Sequence, residues 1–391
     1  MSEARAEIYL DAAATTPPSA EVIERIRFVQ ADTWANPSSL HGPGLRAAEC
    51  LERSRQSIAI ALGADRDQLT FTSGATESVH LALLGTALKR QPGRLVISAV
   101  EHPAVMAAAQ RLKQHGWQLL VWPVDGDGLI RLDLLETMLA PPTQLVSMIW
   151  GQSEVGGLQP VLRVAEACRQ RGITFHTDAT QVIPQGLISW RDHPIDLLSL
   201  SAHKLRGPRG VGLLLHRSDS VPDPLQGGGG QEAGIRSGTE PVALIAGMAE
   251  AMRGLPRFDL VRQTVPPGDP LVRSQRDRLL ESLLNLDGVH LLGPALQSRL
   301  PHHIALLIGD RQNRPLSARA VVRALAREGI ACSSGSACHS GRTEDSPILA
   351  AMGLAPAWRR SGLRLTLGDW LSDEDLAVVP ERLESARQCC T

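Results

Sequence analysis

Short apolar segments alternate with helix-length segments from about Leu10 to Leu215. This alternation restricts the fold most, because strands buried on both faces need helices that cover the sheet. Seven segments are predicted as strands: Leu69–Phe71, Arg94–Ala99, Leu119–Pro123, Leu145–Trp150, Ile173–Asp178, Asp196–Ser201 and Gly212–His216. Apolar stripes predict helices over Pro43–Leu62 and Val161–Arg171. The pattern predicts an α/β fold with a large, mostly parallel sheet.

A change in composition after residue 220 indicates a second part. Residues 221–234 hold two prolines and five glycines, and a second loose segment covers 254–268. Helices are predicted over 269–286, 317–328 and 373–388, and strands over 289–291, 303–307 and 363–366. We predict a large α/β domain over 17–255 and a smaller α+β domain built from 1–16 and 256–391.

Charge and hydropathy exclude several functional classes. The 391 residues include 40 basic and 41 acidic side chains, which is not the basic balance of a nucleic-acid binder. No apolar run approaches the roughly 18 residues that span a bilayer, and the first residues do not resemble a signal peptide. We expect a cytoplasmic protein that binds neither nucleic acid nor membranes.

Three polar motifs follow strands of the predicted sheet. Residues 73–77, Ser-Gly-Ala-Thr-Glu, open a helix whose first amides favour phosphate, although Ser73 as an ordinary N-cap explains the same spacing. Asp178 ends a buried strand, where it is either a helix cap or a ligand contact. Lys204 follows another strand and is either a desolvated nucleophile or a solvated loop lysine. Phosphate loop, carboxylate and amine in this order are the parts that pyridoxal phosphate requires.

Together with further motifs, these residues resemble the class V branch of the fold-type I pyridoxal-phosphate enzymes, and within it the cysteine desulfurases. The matching stretches are 10–17, 36–39 with His41, 73–77, 101–102, 178–181, 201–204, 228–230 with 236–239, and 333–338. The resemblance implies a fold-type I enzyme that acts as a homodimer, with pyridoxal 5'-phosphate as cofactor and L-cysteine as substrate. The resemblance also implies that the sulfur is used for iron–sulfur cluster assembly.

The resemblance also implies roles for single residues. Lys204 would hold the cofactor covalently and move the substrate proton, and Asp178 would keep the ring nitrogen protonated. Gln181 would hydrogen-bond the phenolic oxygen, and His102 would stack on the ring and donate or accept protons. The phosphate would be bound by Ala75, Thr76, Ser201 and His203, with Thr239 from a partner subunit.

Substrate binding is assigned in the same way. Arg364 would hold the substrate carboxylate, and Asn36 lies in the same pocket in relatives. Ser153 stands where most relatives have an asparagine that touches the cofactor and the substrate carboxylate. Its shorter side chain puts substrate affinity in question.

Cys338 is the nucleophile that the resemblance implies. Its segment, 332–342, is small and polar as expected of a loop, and His339 and Arg342 would favour the thiolate. We expect the thiolate to attack the sulfur of bound L-cysteine, leaving a persulfide on Cys338 and alanine. The length of the stretch to Gly353 resembles long-loop, housekeeping relatives that pass sulfur to separate acceptors, such as an iron–sulfur scaffold protein.

Alternative functions of two kinds remain at this point, enzymatic and non-enzymatic. A selenocysteine lyase or a class V aminotransferase is the alternative among enzymes, although the aminotransferase has no use for Cys338. A catalytically idle binding partner is the alternative outside enzymes, and Ser153 is the feature that favours it.

The other cysteines are interpreted without chemistry. Cys50 and Cys168 are expected in the core, and Cys389 and Cys390 are expected to be disordered thiols. Cys332 and Cys338 lack the further ligands of a metal site, so no metal is expected.

Overall fold

A computed structural model of the chain describes residues 7–335 and 345–390. Its large sheet contains β2 (Leu69–Thr72), β3 (Arg94–Ser98), β4 (Gln118–Trp122), β5 (Thr143–Ile149), β6 (Thr174–Asp178), β7 (Leu197–Ser201) and β8 (Gly212–His216). The strand order is β2-β8-β7-β6-β5-β3-β4. Only the two pairings made by β8 in this sheet are antiparallel. The predicted α/β fold with a mostly parallel sheet is confirmed.

The helices in this part of the chain are α1 (Ala20–Asp32), α2 (Gly42–Leu62), α3 (Ala75–His80), α4 (Thr86–Leu88), α5 (Pro103–Gln114), α6 (Leu135–Leu139), α7 (Val161–Arg169) and α8 (Val242–Met252). A π-helical turn, Leu81–Gly85, joins α3 to α4, so residues 75–88 form one helical stretch. Helices α3, α5 and α7 pack on the sheet, and α8 packs against α1 and α2. Within the described residues, no helix has the length and apolar character needed to cross a membrane.

The remaining elements form a smaller unit. Its strands are β1 (Ile8–Tyr9), β9 (Val289–Leu291), β10 (His303–Ile308), β11 (Ile330–Ala331) and β12 (Gly362–Thr366), and its helices are α9 (Pro270–Leu284), α10 (Ala318–Arg327), α11 (Pro347–Ala351), α12 (Asp373–Ala377) and α13 (Val379–Gln388). Strands β12, β10 and β9 form an antiparallel sheet, and β1 pairs in parallel with β11.

The two largest apolar cores of the described residues correspond to these two parts. Ile8 and Leu10 are buried with residues from 272 to 386 in the smaller core. The larger core also includes Leu300 and Leu349, so apolar packing continues from one part into the other. The domain boundaries themselves stay a prediction.

One predicted helix is wrong in extent. Residues 373–388 do not form a single helix but α12 and α13, which meet at Val378. Pro380 lies in the first turn of α13, where its missing N–H is tolerated. In a continuous helix its ring would clash with the carbonyl of Leu376, which explains the break.

Candidate active site

The polar motifs of the sequence meet at one edge of the large sheet. Asp178 is the last residue of β6, Ser201 is the last residue of β7, and Ala75 begins α3. A cavity of about 460 Å³ lies there. Its lining includes Ala75, Thr76, His102, Ser153, Asp178, Gln181, Ser201, His203, Lys204 and Arg364. Most of the predicted site residues therefore line one cavity, although they are far apart in sequence.

The N-terminal segment orients the lysine of the cavity. Lys204 ends a 3-10 turn after β7, and its Nζ donates hydrogen bonds of 2.6 Å to the carbonyl oxygens of Ala13 and Ala14. The side-chain amide of Gln181 donates to the same carbonyl of Ala13 at 3.0 Å. The amine and the amide are thus held by one stretch of backbone.

Two buried carboxyl groups lie near each other at this edge. Asp178 Oδ1 accepts a hydrogen bond from the amide of Thr180 at 3.0 Å. Glu101 Oε1 accepts hydrogen bonds from Ser98 Oγ at 2.5 Å and from the amide of Ile149 at 2.7 Å. Burial, assisted by the charge of Asp178, raises the pKa of Glu101 to about 8. At neutral pH Glu101 therefore places no second negative charge beside Asp178.

Two histidines line the same cavity. His102 is the N-cap of α5, and its Nδ1 accepts a hydrogen bond of 3.1 Å from the backbone. In the neutral ring the proton is consequently on Nε2. Burial, with the charges of Lys204 and Arg209, lowers the pKa of His203 to about 4, so its ring is neutral at pH 7. Its Nδ1 lies 3.1 Å from Thr15 Oγ1.

Arg364 reaches the cavity from β12 of the smaller unit. Its side chain is buried, with Nη2 2.7 Å from Asp11 Oδ1 and Nη1 donating to the backbone carbonyl of Ser153 at 3.0 Å. Nε is buried without a hydrogen-bond partner among the described residues. Ser153 therefore supports Arg364 through its backbone.

The residues around the cavity fit pyridoxal phosphate. Lys204 supplies an amine and Asp178 a buried carboxylate. The hydroxyls of Thr76 and Ser201, with the first amides of the helical stretch 75–88, are donors suited to a phosphate group. Gly212 allows the loop before α3 to lie close to β8, because a Cβ there would be 2.5 Å from Gly74 Cα.

Three predicted site residues are not among the lining of this cavity. Asn36 is exposed, and its Oδ1 accepts a hydrogen bond from the amide of Ser38 at 2.9 Å. Thr239, expected to act in a partner subunit, is also exposed. Cys338 lies outside the described residues. The roles of all three stay predictions.

Glu154 was not singled out from the sequence. It follows Ser153 directly, is 7% exposed, and accepts a hydrogen bond from Ser346 Oγ at 2.5 Å. Burial raises the pKa of Glu154 to about 7, against the opposing effects of Ser346 and Arg364. The residues next to Glu154 in sequence do not indicate this burial, because its hydrogen-bond partner Ser346 comes from a distant part of the chain.

The five cysteines that the structure describes lie either in or against the apolar cores or at the end of α13. Cys168 is buried and Cys50 is half-buried against the larger core, as predicted. Burial raises the pKa of Cys168 and of Cys332 to about 12, which disfavours the reactive thiolate at neutral pH. The expectation of disorder at the last two cysteines is wrong, because Cys389 caps α13 and Cys390 packs against the smaller core.

Comparison with known proteins agrees with this site. Residues 8–378 match the aminotransferase class-V family, and the chain is a member of that family of pyridoxal-phosphate-dependent enzymes. A cysteine desulfurase of Bradyrhizobium diazoefficiens is 37% identical over 385 residues, covering 97% of this chain and 94% of that protein. The cysteine desulfurase IscS of Methanosarcina thermophila is 34% identical over 386 residues, covering 97% and 93%. Within the class-V family, this chain therefore belongs to the cysteine desulfurases.

Solved structures show the same fold. A NifS-like protein superposes with a TM-score of 0.85 at 29% identity, covering 98% of this chain and 99% of that one. SspA in complex with cysteine superposes with a TM-score of 0.80 at 31% identity, covering 92% and 98%. The fold and the family expected from the sequence motifs are confirmed.

Proposed function

We propose that this cysteine desulfurase converts L-cysteine to L-alanine and passes the sulfur, as a persulfide on Cys338, to acceptor proteins for iron–sulfur cluster assembly. The observation that carries the proposal is the single cavity lined by Lys204, Asp178 and Arg364. An amine, a buried carboxylate and a carboxylate-binding guanidinium together suit an amino acid bound beside pyridoxal phosphate.

The residues of the cavity have separate binding tasks in this proposal. Lys204 holds the cofactor covalently, Asp178 pairs with its ring nitrogen, and Gln181 contacts its phenolic oxygen. The phosphate is bound by Ala75, Thr76, Ser201 and His203, and by Thr239 of a second copy in a homodimer. When bound, pyridoxal phosphate withdraws electrons from the substrate Cα and so weakens the bonds around it.

Two groups of the chain move protons. Lys204 takes the proton from the substrate Cα and returns it there, because its amine is oriented toward the cavity by the carbonyls of Ala13 and Ala14. His102 is the second proton donor, through Nε2–H, because Nδ1 is the nitrogen that accepts the backbone hydrogen bond. Arg364 holds the substrate carboxylate, because its guanidinium lines the cavity and is oriented by Asp11 and the carbonyl of Ser153.

Cys338 performs the sulfur transfer. Its thiolate attacks the substrate sulfur, so that a sulfur–sulfur bond forms while the substrate carbon–sulfur bond breaks. The electron pair of that bond stays on the substrate Cβ, which takes up a proton and becomes the methyl group of alanine. A long-loop type of enzyme, which presents the persulfide to a separate acceptor such as an iron–sulfur scaffold, fits the stretch between Ser333 and Gly353.

The test uses the cofactor-loaded protein and L-cysteine. With a thiol reductant, alanine and sulfide are expected in equal amounts. Without reductant, mass spectrometry of peptides should find one added sulfur atom on Cys338. Cys332→Ser is the matched control and should retain this product, whereas Cys338→Ser should lose it. If the protein instead transfers the amino group of L-cysteine to an added 2-oxo acid and leaves mercaptopyruvate, it is an aminotransferase and the proposal is overturned.

A further inference from the structure

The buried carboxyl of Glu154 touches both described ends of the segment that carries Cys338. The described chain ends at Gly335 and resumes at residue 345. A Cβ on Gly335 would lie 2.7 Å from Glu154 Cγ, so the backbone there rests directly on the Glu154 side chain. On the other side, Ser346 Oγ donates a hydrogen bond of 2.5 Å to Glu154 Oε1. One side chain therefore contacts the chain before and after residues 336–344.

The end after the segment is fixed to the core. Ser346 is 2% exposed and is the N-cap of α11, where its Oγ accepts from the amide of Leu349 at 3.2 Å. Ile348 and Leu349 belong to the larger apolar core. Because a hydroxyl has one proton, the hydrogen bond that Ser346 donates is committed to Glu154.

The end before the segment is fixed to the substrate-binding arginine. Backbone hydrogen bonds of 3.2 Å and 2.7 Å join Ser333 and Arg364 in an antiparallel bridge. Gly335 follows with a φ of +69°, a left-handed conformation that favours glycine. Glu154 itself follows Ser153, whose carbonyl accepts from Arg364 Nη1. The carboxyl thus joins the arginine and both ends of the segment in one contact network.

We propose that Glu154 is a positioning residue that fixes both ends of segment 336–344 and so limits the conformations from which Cys338 reaches the substrate sulfur. This inference rests on the proposed function of Cys338. Fixing the ends of a connecting segment raises the fraction of conformations in which its reactive group is correctly placed. The role requires a hydrogen-bond acceptor at Glu154, which the carboxyl of glutamate and the amide of glutamine both supply.

The variants Glu154→Ala, Glu154→Gln and Ser346→Ala test the inference. Glu154→Ala and Ser346→Ala each remove the hydrogen bond between the two side chains, whereas Glu154→Gln keeps an acceptor oxygen. Ser361→Ala is the matched control, because Ser361 is also a fully buried serine and its Oγ has no hydrogen-bond partner among the described residues. Proteolytic cleavage within 336–344 and the alkylation rate of Cys338 are measured on cofactor-free and cofactor-loaded protein, without substrate.

Glu154→Ala and Ser346→Ala should both increase cleavage and change the alkylation rate, and should lower kcat for L-cysteine by roughly ten- to a hundredfold at nearly unchanged KM. Glu154→Gln and Ser361→Ala should resemble the wild type. The double variant Glu154→Ala with Ser346→Ala should lose less than the sum of the two single losses, because each single change already breaks the hydrogen bond between the two side chains.

Two results would overturn the inference. One is wild-type cleavage and alkylation in Ser346→Ala or Glu154→Ala. The other is a higher KM for Glu154→Ala while Ser346→Ala stays unchanged, which would show that Glu154 acts through Ser153 and Arg364 instead. A wild-type protein that makes no alanine would contradict the proposed function alone, because cleavage and alkylation need no turnover.

Discussion

Replacing Arg364 with glutamine should remove most of the preference of the site for ligands that carry a carboxylate. The guanidinium is buried, two of its nitrogens are held by Asp11 and the carbonyl of Ser153, and its Nε has no hydrogen-bond partner among the described residues. Such a group is oriented before the ligand arrives, so the carboxylate does not have to immobilise it.

The expected magnitude follows from the type of contact. A hydrogen bond to a charged group contributes about 1.5–3 kcal/mol, and about 1.4 kcal/mol corresponds to a tenfold change in affinity. Arg364→Gln should therefore weaken the binding of L-alanine by roughly ten- to a hundredfold. Ethylamine, which has the same amine without the carboxylate, should bind as it does to the wild type.

The assay is an absorbance titration of the cofactor-loaded protein with L-alanine and with ethylamine. Arg364→Gln leaves the carboxylate of Asp11 without its ion-pair partner, which can lower the stability of the protein. The double variant Asp11→Asn with Arg364→Gln removes that charge, so any remaining loss of L-alanine affinity is due to lost binding of the ligand carboxylate. Arg276→Gln is a control, because Arg276 is equally buried but does not line the cavity. If Arg364→Gln weakens both ligands by the same factor, Arg364 does not bind the carboxylate and the reasoning is refuted.

Three further predictions concern other residues of the site. Lys204→Ala should abolish the cofactor that stays attached to the protein after borohydride reduction, whereas Lys113→Ala should keep it. The chain has only three lysines, and Lys204 alone of them lines the cavity. Mass spectrometry of the reduced protein measures the attached cofactor. Ser153→Asn should lower KM for L-cysteine by about tenfold, because an amide donates two hydrogen bonds and reaches further than a hydroxyl; an unchanged or higher KM in steady-state kinetics would contradict this. Glu101→Gln should change the pH dependence of stability. Because the pKa of Glu101 is raised to about 8 in the folded protein, the wild type loses stability as pH rises from about 4.5 toward 8. Thermal unfolding should therefore favour the glutamine variant increasingly from pH 5 to pH 9, and a constant difference would count against a raised pKa.

The large sheet and most of its site residues could be predicted from the sequence because their signals are local. A strand buried on both faces is a short apolar run ended by polar or glycine residues, and β8 has the predicted bounds, Gly212–His216. Asp178 and Lys204 lie where such runs end, and parallel strands bring those ends to one edge. The motifs around them were sufficient to predict the family.

Tertiary structure alone decided which distant groups meet at the site. Strand β1 is two residues long and has no periodicity to detect, yet its pairing with β11 brings the following backbone to Lys204. Asp11 contacts Arg364 across more than three hundred residues of sequence, and Glu154 contacts Ser346 across nearly two hundred. The raised pKa values of Glu101 and Glu154 also follow from the packing around them. Burial and long-range hydrogen bonds depend on how separate segments pack in space, and the periodicity of any one segment does not specify that packing.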